Sequence, residues 1–268
     1  LGIPPAIKWI PTVETWFDND LRSESNAVGL WQLTPATAKS FGLKIDEWVD
    51  ERKNPEKATD AALDILEYLY GKLGDWELAL AAYNAGEGCV NRAIRRTGSR
   101  DFWKLSSSRS LPSQTRFYVA AIYALADIER YPPANAVDIP QCTEMPWIQL
   151  TLNRQVNLLD LSQSCNVDSE LIQKLNPSLK RTLTPPWESF QIRVPEEAVS
   201  SFQSALNRLP EDPGSEWVIH MIQAGDTLSK LADSYNSTVE AIMVVNELDR
   251  HLIIAGRELL IPSNILWN

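Results

Sequence analysis

Glu14 is the residue from which chemistry is read first. Ile7, Ile10 and Val13 precede it, and Trp16 follows two positions later. A carboxyl in apolar, partly desolvated surroundings holds its proton to higher pH, because burial penalises the charged form. Such a group is equipped to protonate the leaving oxygen of a glycosidic bond. Glycosidases ordinarily pair that acid with a second carboxylate about 5 to 9.5 Å away. Asp18, Asp20 and Glu24 lie close in sequence, but nothing in their pattern marks one as the partner. Taken alone, Glu14 also reads as an ordinary surface glutamate at a helix end, so its case depends on its company.

That company is four segments in fixed order: Pro11-Thr12-Val13-Glu14, then Ser23 through Asn26-Ala27-Val28-Gly29-Leu30-Trp31-Gln32, then Ala81-Ala82-Tyr83-Asn84-Ala85-Gly86-Glu87-Gly88, and Thr115-Arg116-Phe117-Tyr118-Val119. Together they resemble the lysozyme-like lytic transglycosylases of the soluble and membrane-bound D type, over about the first 130 residues. The resemblance implies a cleft with Glu14 as catalytic carboxyl, Gly29 to Gln32 on one wall, Tyr83 and Asn84 on the other, and Tyr118 completing the site. It also implies that no second carboxylate is needed. Glu14 would protonate the bond between N-acetylmuramic acid and N-acetylglucosamine, aided by the substrate's N-acetyl group. As carboxylate it would then take the proton of the muramoyl 6-hydroxyl, which attacks C1 and leaves a 1,6-anhydro end. One departure stands out: the family usually has Ser after its glutamate, and this chain has Thr15.

Each residue also has a plainer reading. Tyr83 and Asn84 suit a core position and a helix C-cap. Gln32 and Tyr118 divide evenly between substrate contact and buried structural hydrogen bond. Ser23 either holds Glu14 in place or caps a turn. The Gly86-Glu87-Gly88 run matches no phosphate-binding spacing. His220 and His251 are isolated and read as ordinary surface or strand residues.

The elements that must position these groups are helical. Pro4 and Pro5 suit a first helical turn, while Pro11 should strain or kink the helix it falls within. Thr34-Pro35 reads as N-cap and N1, with a stop at Gly42. Thr59 and Asp75 are candidate caps for helices ending before Gly74 and at Gly86. Thr115 is a candidate cap for a last helix, closed by Tyr131-Pro132-Pro133. Four prolines within 132–147 indicate a linker.

Beyond it the chain repeats. At an offset of 70, Leu158, Leu161, Asn166, Glu170, Ile172 and Asn176 meet Leu228, Leu231, Asn236, Glu240, Ile242 and Asn246. Each copy ends in a short apolar strand and a proline, with three extra residues in the first, so each reads as strand, two short helices, strand. From Trp217 to Pro262 the second copy resembles a LysM module, which implies N-acetylglucosamine binding in a shallow groove beside Gly225, Asp226 and Thr227. The first copy lacks the Gly-Asp-Thr-Leu turn and resembles a degenerate relative, nearer a packing element than a sugar site.

Composition bounds the rest. A net charge of −10 argues against a nucleic-acid partner, and no apolar run approaches the length of a membrane span. The chain opens without Met or a basic-then-apolar leader, so a processed or trimmed protein is expected, with any lipid anchor outside it. Cys89, Cys142 and Cys165 form no metal-ligand pattern, and three reduced thiols are the plain expectation. The ten tryptophans read first as core anchors.

The expected fold is therefore mainly α: a lysozyme-like all-α catalytic domain over 1–132, a Pro-rich linker over 133–148, a degenerate LysM-like repeat over 149–196, a partly helical linker over 197–215, and a LysM module over 216–264. The two small repeats are α+β, in the order βααβ. The expected activity is lytic transglycosylation of peptidoglycan strands at the bacterial cell envelope, periplasmic or outer-membrane associated, without metal or cofactor. The alternatives are a lysozyme-type hydrolase and a non-catalytic wall binder. Oligomeric state is left open by the sequence.

Overall fold

The computed structural model describes residues 2–133, 145–185, 189–209, 216–246 and 248–263. Most of the Pro-rich linker, the end of the second linker and Cys142 lie outside them. Two compact units emerge: residues 1–45 with 51–141, and residues 46–50 with 142–268.

Among its described residues, the first unit is built of helices, with isolated bridges of Arg22 with Val28 and Val28 with Leu33 in the 22–33 loop. A 3-10 turn over Pro5–Trp9 passes directly into α1 (Ile10–Thr15). Pro11 causes no kink inside a helix, because the tighter turn ends just before it and Pro11 falls in the first turn of α1, where its missing N–H has no partner to lose. Thr34 caps α2 (Pro35–Ser40), accepting from the Thr37 amide. The long helix α3 (Pro55–Leu73) starts four residues ahead of Thr59. Asn54 is its cap and Pro55 its N1 residue, while Thr59 donates back to the Pro55 carbonyl. Asp75 caps α4 (Trp76–Ala85) through the Leu78 amide, and Gly86 then bends the chain into α5 (Glu87–Thr97), a helix the sequence pattern did not announce. After α6 (Phe102–Ser107), α7 (Ser113–Arg130) has Pro112 at its N-cap, three residues before the expected cap Thr115. The core joins Ile10, Trp31, Leu66, Leu69, Leu80, Phe102, Leu105 and Ile122.

The second unit holds the two repeats. The first is β1 (Trp147–Leu152), α8 (Leu158–Ser164), α9 (Ser169–Leu175) and β2 (Phe190–Pro195). After it comes α10 (Val199–Leu206), which buries Phe202 and Ala205 in the same core as Leu158, Leu161 and Ile172. The second repeat is β3 (Glu216–Met221), α11 (Leu228–Ser234), α12 (Val239–Val245) and β4 (Glu258–Ser263). Each strand pair is antiparallel, Leu150 facing Ile192 in one and Ile219 facing Leu260 in the other. The helices therefore fall 70 residues apart, as the sequence repeat requires, and the fold is mainly α with two small βααβ units.

The repeat has a shared internal clamp. Asn176 donates to the carbonyls of Ile172 and Arg193 and accepts from the Arg193 amide, each at 2.8 Å. Asn246 does the same with Ile242 and Leu260, accepting from the Leu260 amide at 2.9 Å. One amide side chain thus ties the second helix of each repeat to its last strand. Asn166 and Asn236, also 70 apart, both adopt the left-handed conformation at the turn between helices, with φ of 52° and 50°. Asn tolerates that region better than most side chains.

Among the described residues no helix is long and apolar enough to cross a membrane. Cys89 and Cys165 are free and partly exposed.

Candidate active site

Glu14 is the penultimate residue of α1, which ends when Trp16 turns left-handed, with φ of 52°. Its carboxyl is largely withdrawn from water, and burial raises its pKa above the usual carboxylate range. Tyr118, from α7, opposes that shift: its hydroxyl lies near enough to favour the carboxylate. Yet this hydroxyl, on a residue only 5% exposed, makes no hydrogen bond of normal geometry among the described residues.

Tyr83, near the end of α4, is the second phenol at the site. Its hydroxyl is enclosed although the residue as a whole is partly exposed, and it donates to the Trp31 carbonyl at 2.7 Å. Desolvation first, and the charge of Glu14 second, hold both tyrosines well above the usual phenol range. With its single proton committed to Trp31, Tyr83 has only acceptor lone pairs left for Glu14.

The remaining residues singled out by sequence are tied into the surrounding chain by hydrogen bonds. Asn84 accepts from the Thr115 hydroxyl at 2.9 Å, so the residue expected to cap α7 instead fastens that helix to α4. Gln32, left-handed with φ of 48°, donates its side-chain amide to the carbonyls of Leu21 and Gly29, which fixes its own turn. Ser23 accepts from the Ala27 amide at 3.0 Å and pairs with the Ser25 hydroxyl. Thr15 directs its hydroxyl back to the Pro11 carbonyl at 3.1 Å. Trp31 is buried and donates from its indole to Thr59.

Two features escaped the sequence pattern. Arg52 is almost fully buried and donates to the carbonyls of Asn26 and Leu33, bracing the whole 22–33 loop. Its own carbonyl packs so close to Gly29 that a Cβ there would sit 2.3 Å away. The only forewarning was Gly29 itself. In the second repeat, His220 is a strand residue of β3, but it is not isolated: it lies between the Asp226 carboxylate at 2.8 Å and the Tyr235 hydroxyl at 2.9 Å. The His220 hydrogen bond, then the Gln223 amide, hold Asp226 below its ordinary pKa. Thr227 caps α11, and Gly225 turns with φ of 94°.

Among the described residues no group of His, Cys, Asp and Glu is placed to hold a metal ion.

Three family models match the chain. Residues 3–106 match the model of a transglycosylase SLT domain, residues 148–211 that of the LysM-like domain of lytic transglycosylase MltD, and residues 220–262 that of a LysM domain. The chain is homologous to membrane-bound lytic murein transglycosylase D of Escherichia coli (strain K12), 28% identical over 280 residues. That alignment covers 98% of this chain and 61% of the relative, so the chain spans about three-fifths of that protein's length. Peptidoglycan transglycosylase gp16 of Escherichia phage T7 is 36% identical over 103 residues, 37% of this chain and 8% of its own. Among solved structures, the 70 kDa soluble lytic transglycosylase of Escherichia coli is 28% identical, with a TM-score of 0.41, covering 48% of this chain and 22% of that one.

Proposed function

We propose that this chain is a lytic transglycosylase that cuts the glycan strands of peptidoglycan between N-acetylmuramic acid and N-acetylglucosamine, with Glu14 as sole acid and base. The observation that carries the reading is a partly buried carboxyl of raised pKa whose charge acts on two enclosed tyrosine hydroxyls, within residues that match a transglycosylase SLT domain.

The chemistry needs a proton first and a base second. Burial keeps Glu14 loaded to higher pH, so it delivers its proton to the glycosidic oxygen as the bond to C1 breaks. The resulting carboxylate sits beside Tyr118, whose uncommitted hydroxyl stabilises the charge, and it takes the proton of the muramoyl 6-hydroxyl as that oxygen bonds to C1. Glu14 ends protonated and no water is consumed.

Two neighbouring carboxylates are engaged elsewhere, which supports a single-carboxyl route. Asp20 pairs with Lys53 at 2.6 Å, and Asp18 accepts the Asp20 amide. Ser23, Gln32 and Asn84 act as positioning residues in this reading, fixing the walls that Tyr83 and Tyr118 line. The LysM domain, with Gly225, Asp226 and Thr227 at its turn, binds N-acetylglucosamine units of the same polymer and raises the local substrate concentration. The substrate places the protein at the bacterial cell envelope, periplasmic or outer-membrane associated.

Digestion of purified peptidoglycan followed by mass analysis of the fragments tests the reading. Anhydromuramic ends are expected. Reducing ends would assign a hydrolase, and undigested wall would assign a binding protein.

A further inference from the structure

The two repeats share helices, strands and the asparagine clamp, yet the ground beside their first turns differs. In the second repeat, residues 223–225 and 227 and the facing stretch 250–254 are almost all exposed, with Leu252 at 72% and Ile254 at 51%. In the first repeat, the facing stretch Arg181–Pro185 is entirely buried, Thr182 and Thr184 at 0%.

Two sets of contacts cause that burial. The first closes the repeat on itself. The Val156 amide donates to the Thr184 hydroxyl and the Thr184 amide to the Val156 carbonyl, while the Leu158 amide donates to the Thr182 carbonyl and Gln155 to the Thr184 carbonyl. The turn and the approach to the last strand are therefore zipped edge to edge, where a sugar-binding groove would have to lie open.

The second set brings in another part of the chain. Residues 46–50 belong to this unit: the Asp50 amide donates to the Ser178 carbonyl at 2.8 Å, the Lys180 amide to the Trp48 carbonyl at 3.0 Å, and Lys180 Nζ to the Asp46 carbonyl. Val49 is buried and forms an isolated bridge with Leu179. Arg181 lies over the Trp48 ring, 4.7 Å from its centroid, and also donates to the Thr238 hydroxyl of the second repeat. Leu183 and Ala241 pack on the same indole.

We propose that the repeat over 148–211 takes no glycan and instead serves as a clasp for the chain's own residues Asp46–Asp50, with Trp48 as the seated side chain and Arg181 as its lid. Glycan recognition then falls to the second repeat alone. Glycan recognition by the second repeat rests on the function proposed above; the clasp does not.

Two measurements on the whole chain separate them. In amide hydrogen exchange, Asp50 and Lys180 are protected in the parent, and Trp48→Ala or the milder Arg181→Gln speeds both by about tenfold or more. In titration with an N-acetylglucosamine pentasaccharide, amide resonances at 223–228 and 250–256 shift and those at 153–158 and 180–185 do not. Rapid exchange of Asp50 and Lys180 in the parent, or sugar-dependent shifts at 153–158 and 180–185, overturns the clasp. Silence at both repeats removes the second from glycan binding and leaves the clasp to be decided by the exchange data.

Discussion

The Tyr83 hydroxyl donates to the main-chain carbonyl of Trp31 at 2.7 Å, joining the end of α4 to the 22–33 loop. Among the described residues that carbonyl takes part in no main-chain hydrogen bond, so the phenol is one of the ties, beside Arg52 and the Gln32 side chain, that hold this loop. Tyr83→Phe keeps the ring and removes the bond. An unpaired enclosed acceptor costs about 1–3 kcal/mol, and for a domain of 150–250 residues each kcal/mol lowers the midpoint by about 2–4 °C. Calorimetry of the variant is expected to show a drop of this size, with turnover reduced and the protein still folded.

Glu14→Gln separates catalysis from stability. A raised carboxyl pKa means that the folded state binds the proton more tightly than the unfolded chain, so stability falls as pH rises through the folded value. The parent therefore bears the cost of deprotonating a partly buried Glu14 only above the ordinary carboxylate range, and none in acid well below it, where the group is protonated in both states. The glutamine variant is expected to lose activity by about 10²-fold or more. Its thermal midpoint should match the parent's in acid and equal or exceed it at neutral pH. A variant less stable than the parent only at neutral pH would contradict the buried-acid reading.

Much of this was legible beforehand, and the parts that were not share a cause. Helix starts with a local side-chain signal, such as Thr34 and Asp75, fall where expected, and the offset of 70 between Asn176 and Asn246 was readable because both do the same job in the same place. Thr59 and Thr115 misled because a threonine hydroxyl serves a carbonyl four residues back or a distant side chain as readily as a helix end. Arg52 and His220 were invisible as a pair of anchors because their partners, Asn26, Leu33 and Tyr235, are brought to them only by tertiary structure. The closed groove of the first repeat was equally hidden. A missing Gly-Asp-Thr-Leu turn indicates divergence, but not that Val156 and Thr184 pair across the gap.

Tyr118→Phe tests the balance at the carboxyl. Burial raises the Glu14 pKa and Tyr118 lowers it, so deleting the hydroxyl leaves burial unopposed. Activity that requires protonated Glu14 declines as pH rises through its pKa. In the variant this alkaline limb is expected to move to higher pH, with the maximal rate reduced because the carboxylate formed during turnover loses a donor. A pH-rate profile in which the limb stays put or moves toward acid would dissociate Tyr118 from Glu14.

The asparagine clamp makes matched predictions in the two repeats. Asn176→Ala removes three hydrogen bonds and takes that partner from the amide and carbonyl of Arg193; Asn246→Ala does the same at Leu260. Groups left unsatisfied in this way cost about 1–3 kcal/mol each where water cannot replace the partner. Asn176 is the more deeply buried of the two. Both variants are expected to lower the unfolding midpoint followed by far-ultraviolet circular dichroism, Asn176→Ala by more, while the Glu14 domain retains its native signature by amide exchange.

Gly29 and Gly42 provide a controlled comparison of strain with and without a clash. Both are left-handed, with φ of 81° and 84°, so alanine at either position adopts a conformation that costs an L residue about 1–2 kcal/mol. Around Gly42 the space for a Cβ is open, and that cost is all Gly42→Ala should incur. At Gly29 the new methyl would meet the Arg52 carbonyl oxygen at 2.3 Å, on backbone that Arg52 itself braces through Asn26 and Leu33. Neither side can yield without moving the loop that carries Trp31 and Gln32. Gly29→Ala is therefore expected to lose at least about 2 kcal/mol more than Gly42→Ala in urea unfolding, and to lose peptidoglycan cleavage, while Gly42→Ala keeps it. Equal losses in the pair would mean that the 22–33 loop accommodates the methyl, and that its close packing on Arg52 is dispensable to the site.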